Sequence, residues 1–372
     1  MYVEELIANG FTRRMAEEWL AQVEKERCDG SFDRDEIEFA HANGFLAESV
    51  KVWDVTEENK QLYLSDYEYA RLWPLNSWQR IWINDKLTLK LILAEGSFSK
   101  AMPDYYFYSQ KGALVPLMNC PNVTSLASAL ESLGEMACKP CNGSLAQGFY
   151  KLAHSTDGFT INGRPVDVGD IERFPSAHPN YIFTEFIRPS DQFCRISPLI
   201  HTLRVVVCAP IGRDPFIAAS YIRFACGSDQ AANYAISGGA GEFSGLFADV
   251  DVQAGMFGNG KLVSKIETID VDTHPESGAS LTGSIDEWSD VLNLVFSVSE
   301  RLRPLEWLGF DIGLTSDGPK IMEINSHPGL HYVQVFAPLL ADSRVADYFA
   351  EKADALLRMD SAQQQSRALV KR

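Results

Sequence analysis

Apolar residues recur at helical spacing through the first fifty positions: Val3, Leu6 and Ile7, then Met15, Trp19, Leu20 and Val23. Asn9-Gly10 and Asn43-Gly44, each inside a copy of Ala-Asn-Gly-Phe, read as helix stops. Residues 1–65 therefore predict a small helical lobe packed on a larger body, with a partner-docking module as the alternative. Between Asp66 and Trp82 the density of Tyr67, Tyr69, Trp73, Trp78 and Trp82 predicts packing between lobes, or else a stacking surface for a sugar or base. Asn84-Asp85 ahead of KLTLKLIL opens a helix with an acidic cap. YYFYSQ, a Lys111-Gly112 turn and ALVPL make a strand pair. Ser125 to Met136 carries Leu126, Leu130 and Leu133 on one helical face, and a strand ending at Cys138-Lys139-Pro140 follows.

Further strands are expected over Tyr181–Ile187, His201–Cys208 and Phe216–Phe224, the last two around a Gly212-Arg213-Asp214 turn. Residues 225–262 are rich in Gly and polar residues and predict a loop region. Ser284 and Glu287 form a capping-box pattern for a helix to Leu302, striped by Trp288, Val291, Leu292, Val295 and Val298 and stopped by Pro304. LGFDIGL and KIMEIN then flank Thr315-Ser316-Asp317-Gly318, which predicts a β-hairpin. A last amphipathic helix covers Ser343–Met359, and the polar end SAQQQSRALVKR is expected to fray.

Composition narrows the classes. The 372 residues suffice for two or three lobes around sizeable cores, and 46% hydrophobic with 22% charged residues is a globular balance. A formal net charge of −17 argues against nucleic acid or an anionic membrane as main partner. No apolar run reaches the roughly 18–20 residues of a membrane-spanning helix, so membrane insertion is not expected. The acidic start MYVEELIANG lacks a basic segment ahead of an apolar core, so a secretory signal is not expected there. Cys138 and Cys141 form the sole CxxC among seven scattered cysteines, which predicts reduced thiols and a cytoplasmic location.

The candidate chemistry sits on the hairpin. Residue 317 is midway between Asp311 and Glu323, so these carboxylates should face each other across it, and Asn325 shares the face of Glu323. Phe310, Ile312, Ile321, Met322 and Ile324 make both strands apolar, and an acid there is costly unless paired. Two carboxylates and an amide suit Mg2+ held jointly with nucleotide phosphates; a solvated hairpin face is the plainer alternative. Arg204 and Arg223 within apolar strands need a carboxylate or a phosphate, and an internal salt bridge would also serve. Lys139 precedes the small-residue loop Asn142-Gly143-Ser144-Leu145-Ala146-Gln147-Gly148, whose backbone N–H groups could approach phosphate oxygens. That loop lacks the GxxxxGK[ST] spacing, and on its own it reads as a turn.

In order and spacing, NSWQRIWINDKLTLKLIL (77–94), KPCNGSLAQG (139–148), FTEFIRP (183–189), HTLRVVV (201–207), SYIRF through NYAISGGAG (220–241) and GFDIGL with PKIMEINSHPG (309–329) resemble the ATP-grasp superfamily, and within it the sugar-transfer-associated group. The resemblance implies an α+β fold in which two lobes clasp ATP, over residues 66–345, followed by a C-terminal helix and tail, 346–372. It implies Lys86 and Lys139 as contacts to the α- and β-phosphates, and Asn142, Gly143, Ser144 and Gly148 as the covering loop. Glu185, with the backbone of Phe186 and Ile187, matches the adenine-binding linker. Gln192, beside Asp191, stands where the family often has a ribose-binding acid, and this departure leaves the ribose contact open. Arg204, Arg223 and Asn233 match polar positions near the γ-phosphate and acyl group, and Asp311, Glu323 and Asn325 match the metal ligands. The implied activity is ATP-dependent ligation of a small-molecule carboxylate to an amine through an acylphosphate. The alternatives are phosphotransfer to a hydroxyl or sugar acceptor, and a nucleotide-binding protein of a glycan pathway without catalysis. His327 and His331 are candidates for the base, or structural histidines. A homodimer is left open.

Overall fold

The computed structural model describes residues 2–123, 125–142, 148–227, 236–238, 241–243 and 245–368. The chain begins with four helices: α1 (Val3–Ala8), α2 (Arg13–Asp29), α3 (Arg34–Ala42) and α4 (Ala47–Trp53). Both Ala-Asn-Gly-Phe copies stop a helix with one bonding pattern: Phe11 N–H reaches Leu6 O at 3.0 Å, and Phe45 N–H reaches Ala40 O at 2.9 Å. Helix α5 (Asp66–Arg71), the single turn α6 (Ile81–Asn84) and α7 (Lys86–Ile92) follow. The Asp85 carboxylate caps α7 by accepting Thr88 N–H at 2.7 Å.

The first sheet holds β1 (Tyr105–Gln110), β2 (Ala113–Pro116), β3 (Glu135–Pro140), β4 (Tyr150–Ser155), β5 (Gly158–Ile161), β6 (Arg164–Val166) and β7 (Tyr181–Thr184), in the order β2-β1-β7-β3-β4-β5-β6. Helices α8 (Leu126–Leu133) and α9 (Val168–Ala177) pack on one face around Leu130, Met136, Cys138, Phe174 and Phe183. Helix α8 ends before the predicted Met136: Gly134 breaks it at φ +81°, and Glu135 and Met136 already pair in β3.

A linker carrying α10 (Asp191–Cys194) leads to the second sheet. Its strands are β8 (Thr202–Cys208), β9 (Phe216–Phe224), β12 (Gly245–Val250), β13 (Met256–Val263), β14 (Thr268–Asp270), β15 (Gly283–Ser284), β16 (Trp307–Thr315) and β17 (Gly318–Asn325). Strands β10 (Ile236–Gly238) and β11 (Gly241–Phe243) pair separately, and every described pairing is antiparallel. The expectation of a loop over 225–262 is thus corrected: β12 buries Leu246, Phe247, Ala248 and Val250, and this apolar run outweighs the glycines around it. The predicted capping box is also absent. Ser284 pairs with Met256 in β15, and helix α11 (Trp288–Arg301) starts after Glu287 with no side-chain cap.

The second sheet is covered on both faces. Leu203, Val205, Val207, Ile222, Phe310 and Ile312 pack against α7 and α11. The opposite face, through Val206, Cys208, Tyr221, Phe247 and Trp307, packs against Phe45, Val52 and Trp53 of the N-terminal helices and Val345, Tyr348 and Phe349 of helix α12 (Ser343–Leu357). The polar end is not frayed through Ala368. Helix α13 (Ser361–Ala368) sets Arg367 against the carbonyls of Gly10 (2.6 Å), Arg71 (2.5 Å) and Trp73. Among the described residues no helix is long and apolar enough to cross a membrane.

Candidate functional site

The hairpin of β16 and β17 turns through Ser316-Asp317, with Thr315 paired to Gly318. A two-residue turn centred there would set Asp311 opposite Met322. One extra residue in β17 shifts the register between Asp311 and Ile312, so Asp311 faces Glu323 and Ile312 faces Ile321. The midpoint expectation therefore holds because of the bulge at Met322. Asn325 Nδ2 donates to Asp311 Oδ2 at 3.3 Å, which brings the three predicted oxygen-bearing side chains into one patch.

Arg204 lies opposite Asp311 in β8, and Tyr221 lies opposite Arg204 in β9. The Arg204 guanidinium grips the Asp311 carboxylate with two bonds, Nε–Oδ1 2.5 Å and Nη2–Oδ2 3.0 Å. Burial works against the Arg204 charge, but Asp311, with Tyr221 and Glu323, more than offsets it, and the net shift of its pKa is upward. Arg223 sits two register pairs away, opposite Thr202 and Phe247, with its guanidinium over the rings of Phe247 (5.5 Å) and Tyr332 (5.9 Å). Burial lowers its pKa.

Lys86, at the start of α7, brings its Nζ to 3.6 Å from Glu323 Oε2. Its backbone N–H bonds Cys141 O at 3.0 Å, which docks α7 against the end of β3, where Lys139 stands. Desolvation, then the neighbouring Lys86 charge, lowers the Lys139 pKa to about 8. Burial raises the pKa of Glu323, while Lys86 and Lys139 pull it back. A second tie, Ser326 Oγ to Asn84 Oδ1 at 3.0 Å, joins the end of β17 to α6. Gly309 supports the approach of the following segment: a Cβ there would stand 2.5 Å from Pro328.

Asn142 accepts from Asn180 Nδ2 at 2.8 Å. Gly148 is left-handed at φ +74°, and a Cβ on it would stand 2.4 Å from the Tyr181 hydroxyl. Gly143, Ser144 and Asn233 lie outside the described residues. Glu185 follows the last residue of β7, and Ile187 lies over Gly313 of β16. The Phe186 ring has Lys151 Nζ at 4.6 Å and Arg188 at 5.5 Å. Gln192 is turned elsewhere: its amide donates to Ser284 O at 2.6 Å and accepts from Asp286 N–H at 3.4 Å.

The histidine candidates sit in structural contacts. His327 stacks on Tyr69 at 3.9 Å between ring centres, and Tyr69 donates to Pro328 O at 2.6 Å. His331 Nε2 is 3.5 Å from Glu48 of α4, its carbonyl accepts Trp53 Nε1–H at 2.7 Å, and burial lowers its pKa to about 4. Lys320 was not marked by its sequence context. It lies in β17 two residues before the bulge, which returns it to the face of Glu323, and its Nζ reaches Glu185 at 2.7 Å. Cys138 and Cys141 enter different cores, and all seven cysteines are free.

No set of three or more His, Cys, Asp or Glu among the described residues could hold a metal ion. The hairpin has two carboxylates and one amide, one carboxylate already gripped by Arg204. Such a set is too small to cage a cation alone, but it fits Mg2+ when substrate phosphates supply further oxygens.

A family profile described as sugar-transfer-associated ATP-grasp matches residues 75–342. The chain belongs to that family. This ATP-grasp chain has the α+β fold its sequence suggested, and its first 74 residues lie outside the match. No curated protein matches it. Among solved structures it is similar to D-alanyl-alanine synthetase A from Vibrio cholerae (14% identity, 75% of this chain and 66% of that one, TM-score 0.41). It is also similar to an L-amino acid ligase from Bacillus licheniformis (9%, 77% and 51%, TM-score 0.40). A third is a D-alanine–D-alanine ligase from Bacillus anthracis complexed with ATP (12%, 75% and 68%, TM-score 0.38). The chain thus spans less than two thirds of the length of the first two.

Proposed function

We propose that the protein binds Mg·ATP between its two sheets and uses it to join a small-molecule carboxylate to an amine. One observation carries the reading: Lys86 of α7 and Lys139 of β3 converge on the hairpin bearing Asp311, Glu323 and Asn325. Cations gathered beside carboxylates suit a triphosphate with its metal.

In this reading Lys86 and Lys139 hold the α- and β-phosphates, and the linker 185–187 holds the base. Asp311, Glu323 and Asn325 hold Mg2+, which when bound neutralises phosphate charge and aligns the transferred group. The γ-phosphoryl group passes to a carboxylate oxygen of the substrate, ADP leaves, and an acylphosphate results. The amine attacks the acyl carbon, loses a proton and expels phosphate. Arg204, locked by Asp311, keeps a fixed positive charge beside the patch, and Arg223 supplies a second. Seven free thiols fit a reducing compartment such as the cytoplasm.

Purified protein with Mg2+, ATP and paired panels of carboxylic acids and amines tests this. ADP, phosphate and a product lighter than the pair by one water are expected. ADP with a phosphorylated hydroxyl compound would instead establish a phosphotransferase. That alternative is favoured by the family's association with sugar transfer.

A further inference from the structure

Strand β17 carries Lys320 to Glu185, the first residue after β7. The extra residue at Met322 puts Lys320, opposite Gly313, on the same face as Glu323, opposite Asp311. A regular strand would point these two side chains to opposite faces. The Lys320 side chain is 11% exposed, and its ammonium sits 2.9 Å and 2.7 Å from the two Glu185 oxygens. Asp104 N–H donates to Glu185 Oε2 at 3.1 Å, and Glu185 N–H donates back to Asp104 O at 2.8 Å.

The pair lies where several elements meet. Ile321 N–H bonds Ala101 O at 2.7 Å, next to Lys320. Lys90, from α7, donates to Pro103 O at 2.7 Å and Met102 O at 3.5 Å. Thus β17, α7 and segment 101–104 all close on Glu185. The same elements carry Lys86 at one end and Glu323 and Asn325 at the other. Without Lys320, Glu185 would keep a single backbone donor for a carboxylate that is partly withdrawn from water.

We infer that Lys320 is a positioning residue for the base end of the nucleotide site. It holds Glu185 as an oriented carboxylate, so the 185–187 linker stays docked and Glu185 remains a pure hydrogen-bond acceptor. An acceptor-only group at the base end favours a purine with an amino group over one with a carbonyl at that position. The inference rests on the reading that 185–187 holds the base.

The test is calorimetric binding of ATP and of inosine triphosphate, which has a carbonyl in place of the amino group, each with Mg2+. Wild type, K320M, K320R and E185Q are compared, with folding checked by circular dichroism and melting. Wild type should prefer ATP by about 10-fold or more, the worth of one hydrogen bond to a charged group. K320M and E185Q should lose most of that preference through weaker ATP binding, with inosine triphosphate little changed, and K320R should keep it. Equal loss of both ligands in folded K320M would make Lys320 a scaffold residue and overturn the inference. So would a wild type indifferent to the base, or a K320M that keeps the preference. If K320M does not fold, E185Q and K320R decide by the same criteria. A wild type that binds neither ligand would sink the nucleotide reading itself, a different result from equal binding of both.

Discussion

Asp311 and Arg204 face each other across β16 and β8 and are joined by two hydrogen bonds, at 2.5 Å and 3.0 Å. Each side chain is 16% exposed, so removal of one leaves the other charged with little water. R204M should lower stability by about 3 kcal/mol, read as a fall in the urea midpoint. R204M/D311L should recover much of that loss, because a buried pair removed whole costs less than one broken. Neither variant should turn over ATP.

Ala225 is held by two histidines. His201 Nδ1 accepts its N–H at 3.0 Å, and His274 Nε2 donates to its carbonyl at 2.9 Å. His201 Nε2 donates to Phe193 O at 3.1 Å, so this contact set requires the neutral ring. Burial first, opposed by the Phe193 bond, lowers the His201 pKa from 6.5 to about 4. A lowered histidine pKa stabilises the fold above pH 6.5, and the benefit fades as pH falls towards 4. Unfolding free energies from urea titrations should drop over that window, by up to about 3 kcal/mol from His201 alone. H201N keeps an acceptor for Ala225 N–H and should flatten the slope.

Asp66 behaves in the opposite sense. It accepts Leu46 N–H at 2.9 Å and the Ser49 hydroxyl at 3.1 Å, and burial raises its pKa to about 7. A raised carboxyl pKa stabilises the fold at low pH, and that benefit is lost as pH rises through 7. D66N keeps an acceptor oxygen without the charge. Its stability relative to wild type should improve by about 2 kcal/mol between pH 5 and pH 8, read from urea titrations at the two values.

Arg367 ties helix α13 to the carbonyls of Gly10, Arg71 and Trp73. R367A should cost about 2 kcal/mol, typical for hydrogen bonds to a charged group, and lower the melting temperature. Nucleotide affinity should be unaffected, because none of these contacts involves a residue of the proposed nucleotide site.

What could be read from the chain follows from what local pattern encodes. Helix stops such as Asn9-Gly10 and the Asp85 cap of α7 act within a few residues, and they stand where the sequence put them. The facing of Asp311 and Glu323 was legible from their spacing, though its cause, the bulge at Met322, was not. That bulge also hid Lys320, whose alternation with Glu323 argues for the wrong face. Ser284 has the residues of a capping box but spends its backbone on Met256, a partner 28 positions away that local pattern cannot reveal. Strands β12 and β13 were missed because glycines and polar residues outnumbered the apolar ones that a covered sheet selects. The packing of the N-terminal helices on the face that bears Arg204 and Asp311 is likewise a long-range result.

The most direct measurement is calorimetric titration of Mg·ATP into wild-type protein, K139M and E323Q, each verified as folded. The account predicts saturable binding to wild type that depends on Mg2+. It predicts a loss of about 10-fold or more in K139M, and a loss in E323Q that appears only with Mg2+ present. Absence of binding to folded wild type at millimolar Mg·ATP, or binding indifferent to both substitutions, would contradict it.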